Sequence, residues 1–168
     1  EKPNILIYQL ESVSMWPLTS DPNPMPYLQK LMDENITVKN FIANGCHTID
    51  AEYATLCSFY PHSDMPIAEK KDNTYDCLPS TLQKKHSYNT AVFHTNVSDF
   101  WNRTTLMKKW GMNDYFFVPY YSFPKMDDSI PLETAVNYIA NSKNPAFTYV
   151  IGYTSHGPHT NQEIEWNK

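Results

Sequence analysis

The stretch Asn4-Ile5-Leu6-Ile7-Tyr8-Gln9-Leu10 decides the fold. It is short and nearly continuous in apolar residues, the pattern of a fully buried strand in a parallel sheet rather than of a half-solvated one. Glu11-Ser12 follows at once. A carboxylate therefore stands at the strand's carboxyl end, where ligands gather in open α/β sheets.

Working outward, residues 22–26 read as a Pro-rich turn and Tyr27 to Met32 has helical spacing. Thr37 to Ile42 alternates like a second strand. Asn44-Gly45 is a turn signal and Asp50 to Cys57 suits a helix, which puts Thr48 in the loop just before a helix N-terminus. Such an end offers backbone N–H groups and a positive dipole to an anion. Leu78 to Lys85 reads as a helix, and Thr90 to His94 as a buried strand ending in a histidine. Phe100 to Trp110 looks helical with Gly111 as its stop, and Asp114 to Met126 reads as an aromatic surface or cleft loop. Ser129 is the expected N-cap of a helix running to about Asn141. Ala146 to Tyr153 is a further buried strand, with Thr154-Ser155-His156-Gly157-Pro158 at its end. Strands alternating with helices predict an α/β class, a largely parallel central sheet flanked by helices, in a single domain over residues 1–168.

Three strand ends carry a residue capable of chemistry: Glu11, His94 and His156. Each alone has a plain reading. A carboxylate is usually a solvated charge, Thr48 fits a helix cap, and Trp101 and Arg103 pass as packing and a surface cation. Their convergence carries more weight than any one of them.

With a formal net charge of −5, a nucleic-acid footprint is not expected. Aromatics at 14% supply rings that line sites for polar or lipid-linked ligands. No apolar run approaches the roughly 20 residues that span a bilayer, and the opening Glu1-Lys2-Pro3-Asn4 is no signal peptide. Any targeting or membrane segment is expected upstream. Three cysteines, Cys46, Cys57 and Cys77, lack CxxC spacing, so a zinc ribbon is not indicated. Buried thiols, a Cys46–Cys57 bridge and a Cys57–Cys77 bridge all stay open.

The segments NILIYQLES (4–12), MPYL (25–28), TIDAEY (48–53), DNTY (72–75), AVFHTN (91–96) with FWNR (100–103), and TSHGP (154–158) together resemble the lipoteichoic acid synthases and related phosphoglycerol transferases of the alkaline phosphatase and sulfatase superfamily. They stand in the family's order across almost the whole chain, and the AVFH–FWNR block is the most specific. The resemblance implies an alkaline-phosphatase/sulfatase-like fold. It implies Glu11 as a metal-binding carboxylate and Thr48 as the nucleophile that also coordinates the metal. It implies His94, Trp101, Arg103 and His156 around a glycerophosphate pocket, with His156 also placed to protonate a leaving group. The cofactor it implies is a divalent metal, Mn²⁺ first, with Mg²⁺ or Zn²⁺ as alternatives. The donor would be a phosphatidylglycerol-like lipid and the acceptor a cell-envelope polymer or glycan. The place would be the extracellular or periplasmic face of the bacterial cytoplasmic membrane. Sulfatases proper need Cys or Ser in a C/S-x-P-x-R context, which neither Cys46 nor Cys57 provides. Phosphoethanolamine transferases, which also use Thr, are the nearer alternative.

The family completes its metal site with an Asp-His pair on a later strand. Here Asp127 and Asp128 precede no His, and His159 has no Asp beside it. The expectation is therefore the N-terminal portion of the catalytic domain, incomplete at its C-terminus and inactive by itself. A non-catalytic glycerophosphate-binding module is the alternative.

Overall fold

A computed structural model describes residues 2–43, 45, 47–61, 67–70, 72–117 and 127–157. The chain forms two compact units, one of residues 1–11 with 44–168 and one of Ser12–Ala43.

The larger unit is built on four parallel strands: β1 (Ile5–Gln9), β2 (Asn89–His94), β3 (Asp114–Phe117) and β4 (Ala146–Ile151), in the spatial order β1-β4-β2-β3. The central strands are buried throughout β4 and nearly so in β2, as their continuous apolar runs require. Their alternating side chains feed two cores. Val92, Phe147, Tyr149 and Ile151 pack with α3 (Thr48–Cys57) and α5 (Arg103–Trp110) through Ile49, Tyr53, Leu56, Leu106, Met107 and Trp110. Ala91, Phe93 and Val150 pack on the other face against Ala135 of α6 (Ser129–Asn141). Each fully buried large apolar side chain contributes roughly 1.5–3 kcal/mol. The parallel, helix-flanked sheet predicted from the sequence is the one observed.

Local departures have physical causes. β1 was expected to be fully buried, but it lies at one edge of the described sheet and Leu6 is 40% exposed. Asp114–Phe117, expected in a loop, is strand β3: it takes the free edge of β2, with Phe116 stacked on Phe93 at 4.7 Å. The rest of that expected loop, residues 118–126, lies outside the described residues. The N-cap of α6 is Asp128, one residue before the expected Ser129, and its carboxylate accepts from the Tyr153 N–H in the loop after β4 rather than capping the helix. Helix α4 (Leu78–His86) matches expectation, and Gly111 ends α5 with φ 98°. Cys57 and Cys77 form a disulfide between the end of α3 and the start of α4. Cys46 lies outside the described residues, as do Asn44 of the predicted turn, Pro158 and His159.

The smaller unit holds α1 (Trp16–Thr19) and α2 (Pro26–Glu34), with Pro26 at the first helical position of α2. Thr37 to Ile42, expected as a strand, is not one. A strand exists only when its backbone groups pair with a neighbour, and here Val38, Phe41 and Ile42 stand exposed.

Candidate active site

The site grows from the carboxyl ends of β1, β2 and β4. Two residues past β1, Glu11 accepts a hydrogen bond from the Thr48 hydroxyl at 2.8 Å. Thr48 is the first residue of α3 rather than a loop residue before it, and His47, with extended φ −124° and ψ 154°, turns the chain into the helix. Gly45 is required by close approach: a Cβ there would lie 2.9 Å from the Asp50 Cβ. The Thr48 oxygen thus sits where the helix dipole and the first-turn N–H groups favour negative charge.

α3 then contributes two further acids. Asp50 is buried, accepting from the Ile67 N–H at 3.0 Å and bonding His47 Nδ1 at 3.0 Å. The His47 ring lies 5.1 Å from Trp101, so Trp101 stands beside the residue that precedes the candidate nucleophile. Trp101 and Asn102 form a 3₁₀ turn with Phe100 and have φ of 60° and 52°, a left-handed conformation that bulky side chains rarely take. The helix expected over residues 100–110 therefore begins as α5 only at Arg103.

Glu52 is 0% exposed and Arg103 1%. Arg103 Nε donates to both Glu52 oxygens at 3.1 Å, and Nη2 donates to Oε1 at 2.7 Å. Burial raises the Glu52 carboxyl above its ordinary range, against the opposing pull of Arg103. Arg103 is no surface cation, and its side-on fork already holds a carboxylate.

His94, at the end of β2, is buried and bonds the Ile151 carbonyl through Nδ1 at 2.9 Å. A carbonyl only accepts, so Nδ1 carries the proton and Nε2 is an acceptor. Burial, with the nearby Arg103 charge, pushes its pKa down to about 3. His94 is a neutral imidazole. It offers no charge to a phosphate, but its Nε2 suits a hydroxyl donor.

After β4, the Asp128 carboxylate gathers the chain. It accepts from the Tyr153 N–H at 2.8 Å and the Tyr8 hydroxyl at 2.9 Å, while the Thr154 hydroxyl accepts from the Asp128 N–H at 3.0 Å. Ser155 donates its hydroxyl to the Glu11 carbonyl. The exposed His156 ring stacks on Tyr153 at 5.2 Å, and Tyr153 meets His94 edge-on at 5.9 Å. The structure thus joins Glu11 to Thr48 directly, His156 to His94 through Tyr153, and Trp101 to the Thr48 turn through His47. His47, Asp50, Glu52 and Asp128 were not singled out from sequence. The signal for Asp50 and Glu52 lay in their place inside an otherwise apolar helix.

Among the described residues, no group of three or more His, Cys, Asp or Glu side chains is placed to hold a metal. The donor set at Glu11 and Thr48 fits a hard divalent cation in kind, both atoms being oxygen. In number it is short of the three protein ligands that catalytic zinc sites commonly use.

A family description of the sulfatases matches residues 3–165. The chain is 30% identical to a lipoteichoic acid synthase of Staphylococcus aureus over 97% of its own length, and it spans 28% of that relative. A solved protein of the alkaline phosphatase superfamily from Vibrio parahaemolyticus superposes with TM-score 0.80 at 19% identity, covering 95% of this chain and 42% of that one. The phosphoglycerol transferase GacH of Streptococcus pyogenes, solved with sn-glycerol-1-phosphate, superposes with TM-score 0.69 at 16% identity over 96% of this chain and 47% of that one. These two likenesses speak to the fold.

Proposed function

This chain belongs to the sulfatase family, and we propose that it supplies the nucleophile-bearing part of a metal-dependent phosphoglycerol transferase. The observation that carries the reading is the 2.8 Å hydrogen bond from the Thr48 hydroxyl to Glu11, at a strand end and a helix N-terminus together. The similarity to a lipoteichoic acid synthase supports the glycerophosphate group as cargo. So does the neutral His94, whose Nε2 matches a glycerol hydroxyl.

In this mechanism the Thr48 oxygen attacks the phosphorus of a phosphatidylglycerol-like lipid. The bond from phosphorus to the diacylglycerol oxygen breaks, and that oxygen leaves with a proton, in net the one Thr48 gives up, for which the exposed His156 is a candidate donor. A glycerophosphoryl-threonine remains. A hydroxyl of a cell-envelope polymer or glycan then attacks phosphorus, the bond to Thr48 breaks, and the threonine regains its hydrogen. Glu11 and Thr48 would be this chain's ligands to a divalent cation, Mn²⁺ by the family resemblance. When bound, such a cation lowers the pKa of the hydroxyl and offsets phosphoryl charge. Trp101 walls the pocket on the His47 side. No described helix is long and apolar enough to cross a membrane. The assignment to the outer face of the cytoplasmic membrane rests on the lipid donor and the polymer acceptor.

The test is made on the full-length protein. Incubation with phosphatidylglycerol should add a glycerophosphoryl mass to the peptide containing Thr48, and Thr48→Ala should lose both adduct and transfer. Chelation should abolish turnover and Mn²⁺ restore it. Full transfer by Thr48→Ala would refute the reading.

A further inference from the structure

Helix α3 carries Thr48 and Glu52 four residues apart, on one face. About 6 Å of helix axis separates them. A carboxylate at 0% exposure demands a reason, since acids are almost never fully buried unless paired. Its partner Arg103 comes from a different element, α5, and donates Nε and Nη2 to it. That leaves Nη1, which is buried and has no hydrogen-bond partner among the described residues. Native proteins satisfy nearly all such donors, so an orphan beside a candidate active site points to a missing oxygen.

A purely structural role explains this less well. A buried ion pair adds little stability over packed apolar side chains, and a structural arginine has no need of an empty nitrogen. The residues leading into Arg103 are also held in a costly backbone: Trp101 at φ 60° and Asn102 at φ 52°, the latter tied by its amide to the Ala68 carbonyl at 3.2 Å. Strain of this kind gathers at ligand sites. Arg103 holds Glu52 of α3 directly, and its charge also lowers the pKa of His94 at the carboxyl end of β2.

We propose that Glu52 is a positioning residue: it grips Arg103 by Nε and Nη2, so that Nη1 is the donor presented to a phosphoryl oxygen of the glycerophosphate held at Thr48. The inference rests on the function proposed above. Because the nucleophile and the grip ride on one rigid helix, their spacing is fixed before substrate arrives.

Two substitutions separate position from charge. Glu52→Asp keeps the charge and shortens the reach by a methylene, while Glu52→Gln keeps the reach and removes the charge. Each is made in the full-length protein, titrated with sn-glycerol-1-phosphate by calorimetry, and examined by NMR at the Arg103 Nε–H. Positioning predicts affinity about tenfold weaker in both, the worth of one charge-assisted hydrogen bond, and faster exchange of the Nε–H. Wild-type affinity in Glu52→Asp, or tighter binding in Glu52→Gln as for a mere counter-ion, overturns the proposal. Should neither variant fold, Arg103→Lys keeps the cation facing Glu52 but has no Nη1; undiminished affinity there overturns it equally. Wild-type protein that fails to bind glycerophosphate overturns the proposed function itself, whereas binding that survives in the variants overturns only the role of Glu52.

Discussion

Acidification should unfold this domain partly through one histidine. His94 is buried, holds its proton on Nδ1 against the Ile151 carbonyl, and has its pKa pushed from 6.5 down to about 3. The folded state therefore refuses a second proton that the unfolded chain accepts. With the folded pKa depressed, the contribution to stability is whole above about pH 6.5 and is lost as pH falls towards 3. At about 1.4 kcal/mol per pH unit, the loss is about 2 kcal/mol at pH 5 and about 3 kcal/mol at pH 4. His94→Asn isolates this term, because its amide nitrogen can take the place of Nδ1 towards Ile151 while the side chain no longer titrates. Guanidinium unfolding of both proteins at pH 7, 5 and 4 gives the difference directly, other groups cancelling in the subtraction. Wild type should lose stability relative to His94→Asn by those amounts. Parallel stabilities from pH 7 to pH 4 would show that His94 protonates freely in the fold, and the neutral assignment would be wrong.

Two further outcomes concern the scaffold. The Cys57–Cys77 bridge closes a loop of 20 residues, so Cys57→Ser with Cys77→Ser should cost about 3 kcal/mol. An unchanged denaturation midpoint would show that the bridge does not hold the end of α3. Gly111→Ala drives a Cβ into the Ser80 backbone at φ 98°, which should cost at least about 1–3 kcal/mol; calorimetry showing an unshifted melting temperature would contradict that crowding.

The buried strands were readable because a continuous apolar run of that length has few homes, and β2 and β4 fill them. β3 was not readable: Asp114-Tyr115-Phe116-Phe117 is a strand because β2 has an edge to give it, and an edge is not a property of four residues. Thr37 to Ile42 failed in the opposite sense, with the alternation of a strand and no paired neighbour among the described residues.

The site divides in the same way. Sequence by itself determined the parallel α/β class and the strand-end stations of Glu11, His94 and His156, because apolar periodicity locates strands and the residues next in the chain must lie at their ends. It also nominated Thr48 and the block from His94 to Arg103 by their resemblance to a family. Only the tertiary structure decided that Glu11 and Thr48, 37 residues apart, share a hydrogen bond. Only it decided that Cys57 pairs with Cys77, that His94 is neutral, and that Arg103 is buried on Glu52 rather than free. Periodicity records which side of an element faces the core. Pairing, protonation and the direction of a guanidinium depend on which atoms the rest of the chain brings within about 3 Å, and that is fixed only when the elements pack.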